Sequence, residues 1–448
     1  MENTSAICMQ LLINNITSYL SDNTCKSTSV VKLNNENLAI NGELYFLPSL
    51  KVWKNLLKDT DKCDEKCTTI LQHFLYVRNG ETDKADANIA ANQVLQLLVS
   101  SSSNWPIKLH KYFLEKERVC LFLQRTPLIE NSIKAVITSK NNFGKTFSTN
   151  KIFAFKSLQD KESELTTRRL HLIQRVTEKI LTLHGCEISE KHSDYKFVFT
   201  SKSQGNLEEN YEKCVCGVVK NTETKCKETE LTYEQYVNNK IKELKALKEH
   251  KYFEAQKFNA EMEEYFVENL AKAIVTFELL SVKPSRPVFI GSNIATDKNT
   301  TNTKGACFIL YNAARITSII EKYNDKRLKG EYPDLPCVND TDFSLLNQEE
   351  EWELVYNFII GYQQMINHCV KHNAVFQTNP QVICIFLSKL CQKFSIYYRR
   401  IRILTEAYDH LVPTMIARLY MLHALQIVLQ NALAFLDIIP VSRIFQVV

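Results

Sequence analysis

Between Ile383 and Ile444, apolar residues recur every three or four positions, a spacing that an α-helix places on one face. They fall at Ile383, Phe386, Leu390, Phe394, Tyr397, Ile401, Leu404, Tyr408 and Leu411. They fall again at Met415, Leu419, Leu422, Leu425, Leu429, Leu433 and Leu436. Pro413 lies between the two runs, and proline is tolerated in a helix's first turn but not in its interior. The pattern predicts two long amphipathic helices joined at His410-Leu411-Val412-Pro413. Stripes of that length need a helical bundle to bury them.

The rest of the chain is large enough to supply one. It has 448 residues, 45% of them hydrophobic, which predicts two or three domains with full cores. Ten glycines and ten prolines are few, which argues against disorder and Gly-rich nucleotide loops. A net charge of +5 suits nucleic acid but is common among proteins that bind none. Of the 14 cysteines, Cys369, Cys384 and Cys391 sit inside apolar helical patterns. Met1-Glu2-Asn3 lacks a basic start, and Asn14, Asn15 and Ser18 break the run that follows, so no secretory leader is expected. No apolar run approaches the roughly 20 residues of a membrane helix. These features predict a cytoplasmic protein with reduced thiols and no membrane partner. Cys63-x-x-x-Cys67 and Cys214-x-Cys216 have the look of metal half-sites, but their spacings differ and buried thiols are the plainer reading. No metal is expected.

Along the chain, residues 1–150 read as a small mixed α/β region. It has a helix over Ala6–Leu20, another over Asn88–Val99, and a strand Arg118–Leu123 closed by Pro127. Residues 151–300 hold a basic helix over Leu165–Leu183 with Gly185 as its cap, then strands at 186–188, 196–199 and 214–219. A mostly helical stretch over Leu231–Leu280 follows, in which Lys240, Lys242, Lys245 and Lys248 are expected on a solvated or RNA-facing side. Asp297–Lys304 reads as a linker. From Gly305 onward the pattern is all-helical: 306–323, then 349–372 with an acidic start, then the hairpin.

The order of local patterns in this last block resembles the DALR anticodon-binding domain of arginyl-tRNA synthetases. Tyr311-Asn312-Ala313-Ala314-Arg315-Ile316 is similar to that family's Tyr-Ala-x-x-Arg-Ile run, after Asn302-Thr303-Lys304-Gly305. Glu349-Glu350-Glu351-Trp352 resembles its acidic helix start, and Phe394-Ser395-Ile396-Tyr397-Tyr398 its Phe-x-x-Phe-Tyr segment. Ala417-Arg418-Leu419 through Leu436-Asp437-Ile438 resembles its closing helix. A fainter likeness extends upstream. Ala273–Leu280 resembles the helix before the anticodon domain. Cys216–Lys220 with Lys225-Cys226-Lys227-Glu228-Thr229 resembles the strand and loop of the K-M-S-K-S motif, and Thr166–Gly185 the helix after H-I-G-H.

Both catalytic motifs depart from the family pattern. Glu164-Leu165-Thr166-Thr167 stands at the H-I-G-H place, without the histidines and glycine that stabilise ATP phosphates. Glu228 would repel a phosphate, and the interval from Gly185 to Cys214 is short for a nucleotide-binding sheet plus an amino-acid pocket. The chain thus resembles an α+β multidomain assembly in three blocks. Residues 1–150 would be a small mixed N-terminal region, 151–300 a degenerate class I synthetase-like α/β region, and 301–448 an all-α DALR anticodon-binding helical bundle. In the eukaryotic family of DALR anticodon-binding proteins that this resembles, the active site is absent. The resemblance implies no catalytic residue and no cofactor. It further implies binding of arginine tRNA, and a methyltransferase-like partner that makes 3-methylcytidine in the anticodon loop. A divergent synthetase with arginine-tRNA ligase activity and a scaffold of a synthetase complex are the alternatives.

RNA loops are read by aromatic stacking and held by Lys and Arg. Lys389, Lys393 and Arg400 fall within about 40° of one another around their helix, with Arg399 and Arg402 flanking. Tyr397 and Tyr398 supply aromatics. Tyr311 and Arg315 lie one turn apart on a helix that the resemblance places near the anticodon. The competing reading is an ordinary solvated face beside packed tyrosines.

Overall fold

A computed structural model describes residues 8–440 apart from 24–29, 58–66, 80–86, 116, 147–148, 204–209, 250–259, 292–299 and 373–375. Two compact units form. One comprises Met1–Ala135 with Thr341–Ile360, the other Val136–Asp340 with Gly361–Val448.

In the first unit the apolar run Arg118–Leu123 is an inner strand of an antiparallel sheet. The strand order is Lys32–Leu33, Leu44–Phe46, Arg118–Leu123, Leu109–Glu115. Alternation sends Leu44, Phe46, Val119 and Leu121 to one face, where all four are buried. Pro127, expected to close the strand, instead lies in the first turn of the helix Arg125–Ser139. A backbone N–H has no intrahelical partner there, so proline is accepted.

Thr341–Ile360 joins this unit because of what it offers to Glu43. The Glu43 side chain is fully buried. It accepts from Trp352 Nε1 at 2.8 Å, from Leu123 N at 2.8 Å, and pairs with Arg125 at 3.0 Å. Arg125 in turn reaches Glu349 at 2.6 Å, and the Tyr356 hydroxyl donates to the Glu43 carbonyl at 3.0 Å. Burial pushes the Glu43 carboxyl up, against the lowering pull of these donors. The acidic helix start is closed by a capping box between Gln348 and Glu351. The units therefore cut the chain differently from the three blocks read from composition: an acidic helix of the third block completes the core of the first.

The second unit holds a parallel four-stranded sheet ordered Glu187–Ile188, Ile152–Ser157, Tyr195–Thr200, Glu212–Val215. The interval from Gly185 to Cys214, short for a nucleotide-binding sheet plus an amino-acid pocket, supplies the strands on either side of Ile152–Ser157, which precedes it. The helix Glu164–Leu183 follows strand 152–157, and Gly185 takes φ 74° just beyond its end, as a glycine cap does. The single strand expected over 214–219 is split. Val219–Asn221 leaves the sheet and pairs in parallel with Val288–Ile290. Gly217, at the break, lies so close to the Arg286 carbonyl that a Cβ would overlap it.

Among the described residues six helices complete this unit: Tyr233–Glu249, Ala260–Leu280, Thr300–Leu328, Gly361–Cys369, Gln381–Arg400 and Val412–Phe435. Lys240 does not face solvent as expected. It is 5% exposed and lies 3.3 Å from both Glu243 and Glu278, because it shares a face with buried Tyr236 and Leu244, one turn away on either side. The first hairpin helix ends at Arg400, not Leu411. Ile401 is extended, with φ −116° and ψ 124°, which turns Ile403 inward, and the Tyr332 hydroxyl grips the Thr405 carbonyl at 2.6 Å. The second helix begins as expected, with Pro413 in its first turn. By length and composition Val412–Phe435 is apolar enough to cross a membrane, contrary to the sequence reading, but 61% of the apolar window is buried inside the protein. Its Met415 and Leu419 pack against Tyr323 and Tyr332.

Candidate nucleic-acid interface

The helix Thr300–Leu328 buries Ile309, Leu310, Ile316, Ile320 and Tyr323 on one side. Gly305 permits its close approach to the helix before it: a Cβ there would lie 3.3 Å from the Phe277 ring. With the apolar side committed, the opposite side is left to Tyr311, which is 59% exposed, and to Arg315. Arg315 Nη2 donates to the Tyr311 hydroxyl at 2.6 Å. Its guanidinium carbon lies 4.5 Å from the centre of the Tyr311 ring and 4.6 Å from that of Tyr398, on helix Gln381–Arg400. Tyr398 is itself 40% exposed. An arginine is thus held between two exposed tyrosines from adjacent helices. Exposed cation–π contacts contribute only about 0.5–1 kcal/mol each, enough to orient these groups while leaving them to a ligand.

The same helix continues the pattern. Tyr311, Arg315 and Lys322 fall within about 40° around the axis, and Lys329 follows one residue past the helix end, the four positions spanning about 27 Å. Lys322 and Lys329 are exposed. Among the described residues no salt bridge engages Arg315, Lys322 or Lys329, although the exposed Asp325 sits close to the stripe. Of this stripe, the sequence alone points to Tyr311 and Arg315. The signal for the rest was a cation every seven residues, two helical turns, on a helix that runs five residues past its expected end at Tyr323.

The other sequence candidates divide. Lys389, Lys393 and Arg400 do share a flank, with Lys389 and Arg400 exposed and Lys393 half-buried. Tyr398, however, lies about 180° around the helix from Lys389, so the tyrosine joins Arg315 and not the lysines. Arg399 is exposed and its Nε donates to the Ser395 carbonyl at 3.2 Å. Arg402 is engaged, pairing with Glu406 at 2.7 Å. Tyr397 is fully buried in the bundle core and leaves the candidate set, since a ring without exposed surface has no face to offer a base.

The first unit carries a second aromatic and basic surface. On the outer face of its sheet, strand register aligns Lys32, Tyr45, Cys120 and Phe113, with Lys111 beside Phe122. The Arg118 guanidinium sits 3.8 Å from the Tyr45 ring centre and the Lys111 ammonium 4.8 Å from that of Phe122. Phe113 is 54% exposed.

Where the H-I-G-H motif would stand, Leu165 and Thr166 are fully buried. Thr166 Oγ1 accepts from Val219 N at 3.1 Å, a packing role. Among the described residues no three His, Cys, Asp or Glu side chains gather as a metal site, and Cys63 lies outside the described residues. Burial, reinforced by Cys216 and Glu212, pushes the Cys214 thiol up to about 12. Burial pushes Cys216 up to about 11 despite the nearby Arg169. Neither is poised as a thiolate ligand.

Residues 309–444 match the DALR anticodon binding domain. The DALR stretch thus contains the Tyr311–Arg315–Tyr398 cluster, the lysines beyond it and the hairpin. The chain is also similar to DALR anticodon-binding domain-containing protein 3 of Rattus norvegicus, 34% identical over 179 residues, which are 39% of this chain and 33% of that protein. It is 28% identical to the Danio rerio protein of the same name over 236 residues, 51% of this chain and 41% of the other. These matches span less than half the length of either relative. In structure the chain resembles arginyl-tRNA synthetase of Thermus thermophilus, with a TM-score of 0.58 and 10% identity, covering 97% of this chain and 99% of that one. At such identity the likeness is one of fold. The fold class is α+β multidomain, with a DALR helical bundle after a synthetase-like α/β region, as the sequence resemblance implied.

Proposed function

We propose that this chain is a non-catalytic tRNA-binding adaptor of the cytoplasm. It takes arginine tRNA by the anticodon region and holds it for a methyltransferase-like partner that makes 3-methylcytidine in the anticodon loop. The observation that carries the RNA part is the Tyr311–Arg315–Tyr398 cluster on the DALR bundle, continued by Lys322 and Lys329. Unstacked loop bases stack on the tyrosines, and the cations hold the backbone. The outer face of the first unit's sheet, with Phe113, Tyr45 and Arg118, is a second place for single-stranded RNA. The choice of arginine tRNA follows the resemblance of the DALR stretch to that of arginyl-tRNA synthetases, and the modifying partner rests wholly on the resemblance to the eukaryotic DALR family.

The test is to sequence RNA that co-purifies with the protein and map its modified bases. Enrichment of arginine tRNAs, with 3-methylcytidine lost when the protein is removed, is the expected result. Equal binding of all tRNAs, or none in the partner's presence, would sink the adaptor reading. ATP-dependent charging of tRNA with arginine by the purified chain would establish the ligase alternative instead.

A further inference from the structure

The parallel sheet contains a place where ligands ordinarily bind. From strand Ile152–Ser157 the chain crosses to one neighbour, Glu187–Ile188, and then to the other, Tyr195–Thr200. The carboxyl ends of strands 152–157 and 195–200 therefore flank a topological switch point. In open α/β sheets ligands settle in that crevice, with phosphates near the N-terminus of the following helix. Here that helix is Glu164–Leu183, capped by Ser163.

The crevice already holds anions belonging to the chain. Asp160, just past strand 152–157, has a fully buried side chain. Its Oδ1 accepts from Lys227 Nζ at 2.6 Å and from Glu162 N at 3.1 Å, and its Oδ2 accepts from Ser201 Oγ at 2.6 Å. Ser201 directly follows strand 195–200, so the carboxylate bridges both strand ends. Lys227 Nζ also reaches Glu162 Oε2 at 2.8 Å. Lys227 comes from the loop that resembles K-M-S-K-S, whose lysines would otherwise meet phosphate.

A second anion cradle in the same loop is filled the same way. Glu228 Oε1 accepts from Glu230 N at 3.0 Å and Leu231 N at 3.1 Å, and Oε2 accepts from Asn221 Nδ2 at 3.2 Å. Successive backbone N–H groups of this kind form concavities suited to anions. The sequence suggested that Glu228 repels a phosphate; in the structure its carboxylate is itself held by the N–H groups of its own loop. Burial would raise the Asp160 and Glu228 carboxyls, but the donors around each outweigh it and hold both below the usual carboxylate range.

We propose that Asp160 and Glu162 are built-in phosphate surrogates that shut the switch-point crevice, with Glu228 filling the anion cradle of the adjoining loop, so that the chain takes up neither nucleoside triphosphate nor pyrophosphate. The contacts fasten the 221–231 loop to the sheet without a ligand. The proposal deepens the non-catalytic reading, and tRNA affinity measured on the same variants separates the two.

The test titrates the full chain with magnesium-ATP and, separately, with inorganic pyrophosphate, following thermal midpoint and calorimetric heat. Wild-type protein should show no midpoint shift at millimolar ligand. Glu162→Gln removes one surrogate from a side chain that is 64% exposed, which spares the fold. Asp160→Asn/Glu162→Gln removes two. Pyrophosphate affinity should rise about tenfold for each charge removed, the size of one close charge interaction, with tRNA binding unchanged. Saturable ATP binding by the wild type would overturn the proposal. So would a folded Glu162→Gln protein with no gain in pyrophosphate binding.

Discussion

Two cationic places in the second unit are treated in opposite ways. At the sheet's switch point Lys227 is closed in by two carboxylates, one of them fully buried. On the DALR bundle Arg315 is set between two exposed tyrosines, with Lys322 and Lys329 following it along the surface. A cation paired with buried acid inside the protein is spent on structure. A cation paired with an aromatic face stays charged, oriented and available. Among the described residues of the second unit, the difference teaches that cations free of acidic partners stand on the helical bundle, while the cation at the parallel sheet is neutralised by the chain's own acids.

The contrast is sharpest if charge is reversed on the bundle. Arg315→Glu/Lys322→Glu/Lys329→Glu should weaken tRNA binding by about 100-fold or more and flatten the log–log salt dependence by about two to three units, since each phosphate contact contributes about 0.9. Fluorescence anisotropy across a salt series reads both. An unchanged salt slope would move the RNA off this face.

Removing a ring should cost less. Tyr311→Ala or Tyr398→Ala should each lower affinity by about tenfold, within the 1–3 kcal/mol of a base–aromatic stack, with little change in salt slope. Arg315→Lys should fall between wild type and these, because lysine keeps the charge but loses the planar stack.

At the switch point the expected change is in stability, not affinity. Lys227→Met should lower unfolding stability by about 1–3 kcal/mol, because a buried carboxylate is left uncompensated and Lys227 is itself partly solvated, while tRNA affinity stays within about twofold. Burial would depress Lys227, but its bonds and charge pairing with Asp160 and Glu162 win and raise it; Asp160 is held low by Lys227 and Ser201. A lowered carboxyl contributes stability above its unfolded value, lost as pH falls through the folded one. A raised lysine contributes below its unfolded value, lost as pH climbs through the folded one. The gap between wild type and Lys227→Met should therefore be widest from about pH 5 to 9 and narrow in acid below about pH 4. Denaturant melts at several pH values check this, and a pH-independent gap would mean packing, not charge.

The smallest effect is expected on the far flank of helix Gln381–Arg400. Charge reversal at Lys389, Lys393 and Arg400 should change tRNA affinity by only about two- to threefold, the loss of general attraction from a flank turned away from Tyr398. A loss equal to that of the Arg315 triple would put RNA on both flanks and erase the distinction drawn above.

What could be read in advance followed the reach of local geometry. Tyr311 and Arg315 share a face because residues four apart on a helix must. The hairpin helices announced themselves by their stripes, and Gly185 marked a helix end. Tyr397 falls on the apolar stripe with Leu390 and Phe394 and is buried, as that spacing implies, whereas Tyr398 lies off the stripe and is exposed. Periodicity does not say that Tyr398 meets Arg315, 83 residues away, or that Lys227 meets Asp160 across 67. Lys240 is charged, yet its turn neighbours Tyr236 and Leu244 place it on the buried face. The helix end at Arg400 is set by Tyr332 holding Thr405, a tertiary contact with no local sign.

The Thr341–Ile360 segment has a consequence for how this protein is made. Glu43, Leu123 and Arg125 leave the ribosome more than two hundred residues before Trp352 and Tyr356. At ordinary elongation rates, roughly 5–20 residues per second, the N-terminal sheet waits about 10–45 seconds for the indole and phenol that complete the surroundings of its buried carboxylate. Through that interval the nascent first unit lacks part of its core, which makes it a natural client for a chaperone and a poor fragment to express alone.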